Sequence, residues 1–306
     1  MGGHGHGHGH APAAGHAGSR YRVRLTAAFG LVAAFFLVEL VAGLLSGSLA
    51  LVSDAGHMAA DVVALGAALV ATRIATRPDT TGRRTYGSYR AEVFASGLTV
   101  LIMLGVSAYV VAESVARIGE SPEPASGTML VVGVIGLAVN VVSMLLLRSG
   151  STESLNVKGA YYEVVADAAG SVGVILAAIL VAATGNGLWD TAVALAIGIF
   201  VAVRAVVLGR EVLAVLGQHV PDGVSLDEVV TGLEAIDGVS EVHDLHIWTL
   251  TSGMNVATAH LVTSAGVSPD DVLTRAQALL ATEHRIEHAT LQVEQAPTAQ
   301  CHEVNW

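Results

Sequence analysis

Asp54, His57 and Asp61 interrupt an apolar run that extends from about residue 48 to 74 and contains "SDAGHMAAD". An α-helix turns about 100° per residue, so these three positions fall within an arc of roughly 60°. They form one polar stripe on an otherwise apolar helix. A second apolar run carries "YYEVVADAAGSVG", which sets Glu163 and Asp167 at i and i+4. His57 and Asp61 have the same spacing. If the two helices face each other, His57, Asp61, Glu163 and Asp167 offer one nitrogen and three oxygens, a four-coordinate set for a divalent cation. Each charge at bilayer depth costs about 2.5–3.5 kcal/mol. No Arg or Lys is expected at matching depth to neutralise them, so the spacing predicts a cation or proton site. Asp54 lies a turn away, toward the outer end of its helix, and is read as an accessory exit-path group or cap.

These residues need helices long enough to hold them inside a membrane. The 306-residue chain is 53% hydrophobic and 13% charged, a balance of polytopic membrane proteins. Six apolar segments approach the ~20 residues needed to span. They run over residues 22–45, 49–75, 91–118, 127–148, 157–184 and 187–213. Bases gather at the N-terminal flank (Arg20, Arg22, Arg24) and after the second segment (Arg73, Arg77, Arg83, Arg84, Arg90). Others are Arg148 and Lys158 after the fourth segment, and Arg204 and Arg210 at the end of the sixth. The alternate breaks hold almost none, Arg117 excepted, so the positive-inside rule puts both termini in the cytoplasm. Glu39, Asn140 and Ser143 read as interhelical hydrogen-bonding groups. Residues 1–19, a Gly–His alternation followed by small residues, form a disordered tail that can bind metal weakly. The tail lacks the order of a signal peptide and differs from the unbroken His run of an expression tag.

The pattern changes after residue 217. From Gln218 onward there are thirteen acids and two bases, a net −11 equal to that of the whole chain, so residues 1–217 sum to zero. So acidic a segment excludes nucleic acid and suits cations. "VSLDEVVTGLEAI" and "SPDDVLTRAQALLATEH" read as helices, the second with a Ser N-cap and acids in its first turn. "VSEVHDLHIWTLTSG", "NVATAHLVTS" and "HATLQVEQ" read as strands. This predicts a small α-β-β-α-β domain over 218–296 and a tail over 297–306. His243, His246, His260 and Glu294 fall on its strands, and Cys301 and His302 in the tail. The single cysteine allows no internal disulfide.

"GSLALVSDAGHMAAD", "TYGSYRAEVFAS", "NVKGAYYEVVADAAGSVGVI" and "GVSEVHDLHIWTLTSG" follow one another along the chain. They resemble the successive signature blocks of the cation diffusion facilitator family, proton-coupled exporters of zinc, cobalt and cadmium. The resemblance spans about Arg22 to Gln295. It implies a six-helix transmembrane domain over 20–217, a cytoplasmic ferredoxin-like α+β domain, a homodimer in the bacterial plasma membrane, and exchange of metal for protons by alternating access. It also implies that His57, Asp61, Glu163 and Asp167 are the transport site. His243, His246, His260, Glu294, Cys301 and His302 are then the candidates for a regulatory Zn²⁺ site. The zinc-selective branch carries His where this chain has Glu163, which makes the site harder. The family's extra site between the second and third helices is absent by this reading, since Arg73 and Arg77 stand there and Asp79 alone could bind.

Three carboxylates and an imidazole in one pocket oppose one another's ionisation. The site without a cation is therefore expected to hold one or two protons, which a divalent cation would release. His57 is the expected proton carrier. The reading is thus a secondary active antiporter, not an enzyme, exporting Zn²⁺ and also Co²⁺ or Cd²⁺. A harder cation such as Fe²⁺ or Mn²⁺, a channel, and a membrane-anchored metal sensor are the alternatives. An intramembrane metalloprotease would need an H-E-x-x-H helix, and the chain has none.

Overall fold

A computed structural model describes residues 15–75, 85–86, 88, 90–118, 123–148, 155–251 and 253–295. Among the described residues, eight helices and three strands follow in the order α1(Gly15–Ser46), α2(Leu49–Ala75), α3(Ala91–Ala116), α4(Ser126–Leu147), α5(Leu155–Thr184), α6(Leu188–Leu216), α7(Leu226–Glu234), β1(Val239–Thr251), β2(Met254–Thr263), α8(Pro269–Glu283) and β3(His288–Glu294). Residues 15–19, expected in the unstructured tail, are instead the first turn and a half of α1. The Ala- and Arg-bearing run "HAGSRYRVRLTAA" has enough helix propensity to extend the span outward. Residues 1–14 and 297–306, and Arg77, Asp79, Arg83 and Arg84 between α2 and α3, lie outside the described residues.

Two compact units divide the chain, residues 1–65 with 99–206 and residues 66–98 with 207–306. Among the described residues, α1, α3, α4, α5 and α6 contain stretches long and apolar enough to cross a membrane. The sixth helix, α2, has 27 residues and carries the polar stripe. Large apolar side chains point outward along these helices, Leu45 at 83% exposure and Leu101 at 68% among them. In water such a surface would aggregate; against lipid it is matched. This is an integral membrane protein.

Inside the first unit α4 packs on both α1 and α5, and small residues set the approach. A Cβ added at Gly136 of α4 would lie 2.6 Å from the Phe35 ring of α1, and one at Gly133 would lie 2.9 Å from Ile175 of α5. Helices that share no water-driven attraction gain contact by this close approach. Asn140 Nδ2 donates to Ser171 Oγ at 3.3 Å, joining α4 to α5 as expected. Glu39 of α1 is buried with its carboxyl paired to that of Asp54 on α2, an interhelical contact as expected. Ser143 differs from expectation, since its buried hydroxyl has no hydrogen-bond partner among the described residues.

The start of α2 is held by α6. Gly47, at φ 71°, turns the chain between α1 and α2, a backbone conformation that glycine adopts without strain. The fully buried Asp190 then accepts from Ser48 Oγ at 2.6 Å, Leu49 N at 2.7 Å and Ala50 N at 3.1 Å. A carboxylate placed on the free N–H groups of a helix N-terminus offsets both their unpaired donors and the helix dipole. Ser53 Oγ donates to the Ala194 carbonyl at 3.2 Å, one turn further along the same contact.

In the second unit the expected α-β-β-α-β order is present. β1 and β2 pair antiparallel and β2 and β3 parallel, in the sheet order β1-β2-β3. Ser225 and Ser268 cap α7 and α8, accepting from the N–H groups of Glu228 and Asp271. The helices close a core of Val229, Leu233, Ile247, Leu261, Val272, Leu280 and Ile286.

Candidate functional site

His57 and Asp61 stand one turn apart in α2, and Asp167 approaches them from α5. His57 Nε2 lies 3.8 Å from Asp61 Oδ2 and 3.6 Å from Asp167 Oδ1. One ligand atom from each of the three falls within 4.8 Å of the others. Gly56 seats α2 against Val106 of α3, where a Cβ would collide, and so fixes the helix next to the imidazole.

Glu163, expected as the fourth ligand, is not part of this group. Its Oε1 accepts from Arg204 Nη2 at 2.6 Å. Arg204 Nη1 also stands 3.1 Å from His57 Nε2. A guanidinium can only donate, so His57 Nε2 must be the acceptor and Nδ1 carries the ring proton. Phe200, one turn before Arg204 on α6, sets its ring edge-on to His57 at 6.1 Å and lies 6.0 Å from the guanidinium carbon.

The expectation that no base reaches this depth is therefore wrong. Arg204 looked like a flanking base at the end of the sixth segment. It stands twelve residues before α6 ends at Leu216, about 18 Å of helix rise. That depth was the available signal. The long side chain then reaches the carboxylates from a helix whose rotation the sequence does not state.

Asp54 does not join the three either. It is buried, its carboxyl lies against Gly170 of α5 where a Cβ would collide, and it pairs with the Glu39 carboxyl of α1.

A second group forms on the C-terminal sheet. His243 and His260 are cross-strand partners, and Glu294 follows on β3 opposite Val262. Their ligand atoms also fall within 4.8 Å of one another. His260 Nδ1 is 2.8 Å from Glu294 Oε1, and His243 Nε2 is 3.9 Å from the same oxygen. Both ring nitrogens of His243 are buried without a hydrogen-bond partner among the described residues. His246 is not part of the group. The ladder shifts between His243 and His246 around Asp244 at φ 51°, so His246 pairs with Thr258. Its Nε2 meets Asp244 Oδ1 at 2.9 Å instead. Cys301 and His302 lie outside the described residues.

A family model described as the cation efflux transmembrane domain matches residues 25–216, and one described as the cation efflux protein cytoplasmic domain matches residues 221–296. The chain belongs to the cation efflux family. It is a cation efflux transporter rather than an enzyme. Relatives match nearly end to end. The metal cation efflux system protein CzcD of Cupriavidus metallidurans is 44% identical over 93% of this chain and 90% of its own. The zinc transporter ZitB of Escherichia coli is 36% identical over 91% and 88%. The cadmium, cobalt and zinc/H(+)-K(+) antiporter of Bacillus subtilis is 33% identical over 86% and 84%. A solved metal-bound C-terminal domain of the CzcD transporter is 43% identical over 23% of this chain and 99% of its own, at a TM-score of 0.23. In this cation efflux protein, the transmembrane match contains His57, Asp61, Glu163, Asp167 and Arg204. The cytoplasmic-domain match contains His243, His260 and Glu294.

Proposed function

We propose that this protein exports divalent transition-metal cations, Zn²⁺ first and also Co²⁺ and Cd²⁺, from the cytoplasm in exchange for protons. The observation that carries the reading is the convergence of His57, Asp61 and Asp167 from two membrane helices within 4.8 Å. Buried ionisable groups in a membrane are retained where they handle charge. One imidazole and two or three carboxylates suit a divalent cation, with Glu163 completing the set when it turns inward. Relatives named for zinc, cobalt and cadmium support the choice of metal. Three carboxylates against one imidazole also favour a harder cation, Fe²⁺ or Mn²⁺, as the second reading.

Metal and protons are alternative ways of balancing the same carboxylates, which is the physical basis of exchange. His57 is the proposed proton carrier, because its Nε2 faces both Asp61 and Asp167. His243, His260 and Glu294 fit a regulatory Zn²⁺: two nitrogens and an oxygen converge, and His243 Nε2 faces Glu294 while its Nδ1 lies 3.4 Å from Glu241 Oε1. Cys301 or His302 would supply the fourth ligand. The protein is proposed to act as a homodimer in the bacterial plasma membrane, with both termini cytoplasmic, a reading supported by the distribution of Arg.

The test is transport by the full-length protein in proteoliposomes with an imposed pH gradient, offered Zn²⁺, Co²⁺, Cd²⁺, Fe²⁺ and Mn²⁺ in turn. Asp61→Asn and Asp167→Asn should abolish metal flux, and His57→Ala should fold yet lose metal-driven proton release. Wild-type flux in the Asp variants would favour a sensor, and flux indifferent to the pH gradient would favour a channel.

A further inference from the structure

We propose that Arg204 is a tethered counter-cation of the transport site, which competes with the transported ion for His57 Nε2 and Glu163 Oε1. The inference rests on the transport reading above and adds to it a residue that acts on metal affinity and release.

The geometry makes the competition direct. A metal ion binds an imidazole through a ring nitrogen lone pair. The lone pair of His57 Nε2 is the one that accepts from Arg204 Nη1 at 3.1 Å. It is also the nitrogen that faces Asp61 and Asp167. A guanidinium and a divalent cation cannot share that lone pair, and their like charges repel at such range. Glu163 is in the same position: its Oε1 is held by Arg204 Nη2 at 2.6 Å. For Glu163 to turn toward His57, Asp61 and Asp167, the ion pair must open.

Arg204 is also held so that it can withdraw. It sits on α6, while the ligands sit on α2 and α5. The guanidinium carbon rests 6.0 Å from the Phe200 ring, close to cation–π range. Its side chain is 29% exposed and that of Glu163 is 42% exposed, against 3% for His57. The ion pair thus lies at the open rim of the site, where a cation can displace it at modest cost. A permanently charged side chain returning to the rim would assist release, because it reoccupies the ligands as the metal leaves. A site of bare carboxylates would bind more tightly and let go more slowly.

The test measures initial Zn²⁺ flux against Zn²⁺ concentration in proteoliposomes of the full-length protein, for wild type, Arg204→Gln and Arg204→Lys. Arg204→Gln should lower KM and lower kcat together, each by about twofold to fivefold, the range of a partly exposed ion pair. Arg204→Lys keeps the charge and should recover most of both. A purely structural Arg204 would lower kcat without lowering KM and would not be rescued by Lys. A raised or unchanged KM in Arg204→Gln overturns the proposal, as does equal behaviour of Gln and Lys. If Arg204→Gln fails to yield folded protein, Arg204→Lys combined with Phe200→Leu loosens the cation from the rim and must lower KM, or the proposal fails. Asp167→Asn run in parallel separates the two ideas: its full activity would remove the transport site itself, whatever Arg204 does.

Discussion

Asp190→Ala should cost more than any single change at the protein's exposed positions, because one carboxylate holds the first turn of α2 to α6. It accepts from Ser48 Oγ, Leu49 N and Ala50 N, and it is fully buried. Leaving a buried donor without an acceptor costs about 1–3 kcal/mol. Ser48 Oγ keeps the bond it accepts from Leu51 N at 3.2 Å, while its O–H loses its acceptor. Arg117 adds little, since it keeps Glu113 at 3.0 Å and the Gly47 carbonyl at 3.0 Å and stands 3.9 Å from Asp190. The two helix N–H groups and the lost anchor then account for about 3–5 kcal/mol, the usual cost of breaking a buried charge contact. For a domain of this size that corresponds to a fall of about 10 °C in melting temperature. Asn keeps one acceptor oxygen and should lie midway, and Ser48→Ala should cost about 1 kcal/mol. The assay is thermal unfolding of the detergent-solubilised full-length protein, paired with Zn²⁺ transport by the folded fraction. Because His57 lies two turns along the same helix, transport should fall with stability. A shift under about 2 °C for Asp190→Ala, or Asn no better than Ala, would refute the reasoning.

Two further outcomes follow from the two ligand groups. Glu163→His should move preference toward Zn²⁺ over Fe²⁺ and Mn²⁺ in competition transport, since an imidazole replaces a hard carboxylate; an unaltered ranking removes Glu163 from the selectivity argument. His260→Ala should abolish the Zn²⁺-induced rise in melting temperature of the C-terminal domain's transition in the full-length protein, about 2.7 kcal/mol of stabilisation at a hundredfold excess over Kd; a rise equal to that of wild type removes His260 from the metal ligands.

Some of this molecule is local, and local things can be read from a sequence. The i, i+4 spacing of His57 with Asp61, and of Glu163 with Asp167, puts each pair on one helix face whatever the helix packs against. The Ser268 cap and the strand alternation around His243 and His260 are equally local. Other features depend on how separate helices are turned against one another, and no spacing encodes that. The rotation of α6 brings Arg204 to Glu163 and His57, so a residue that read as a flanking base becomes part of the site. The seating of Asp54 against Gly170 separates it from the group to which its own helix face assigned it. A shift of register at Asp244 likewise withdraws His246 while leaving His243 facing His260. The sequence by itself determined which side chains share an element and a face, because backbone periodicity dictates that. The tertiary structure decided which of them meet, because meeting depends on close packing at glycines and on the reach of one long charged side chain.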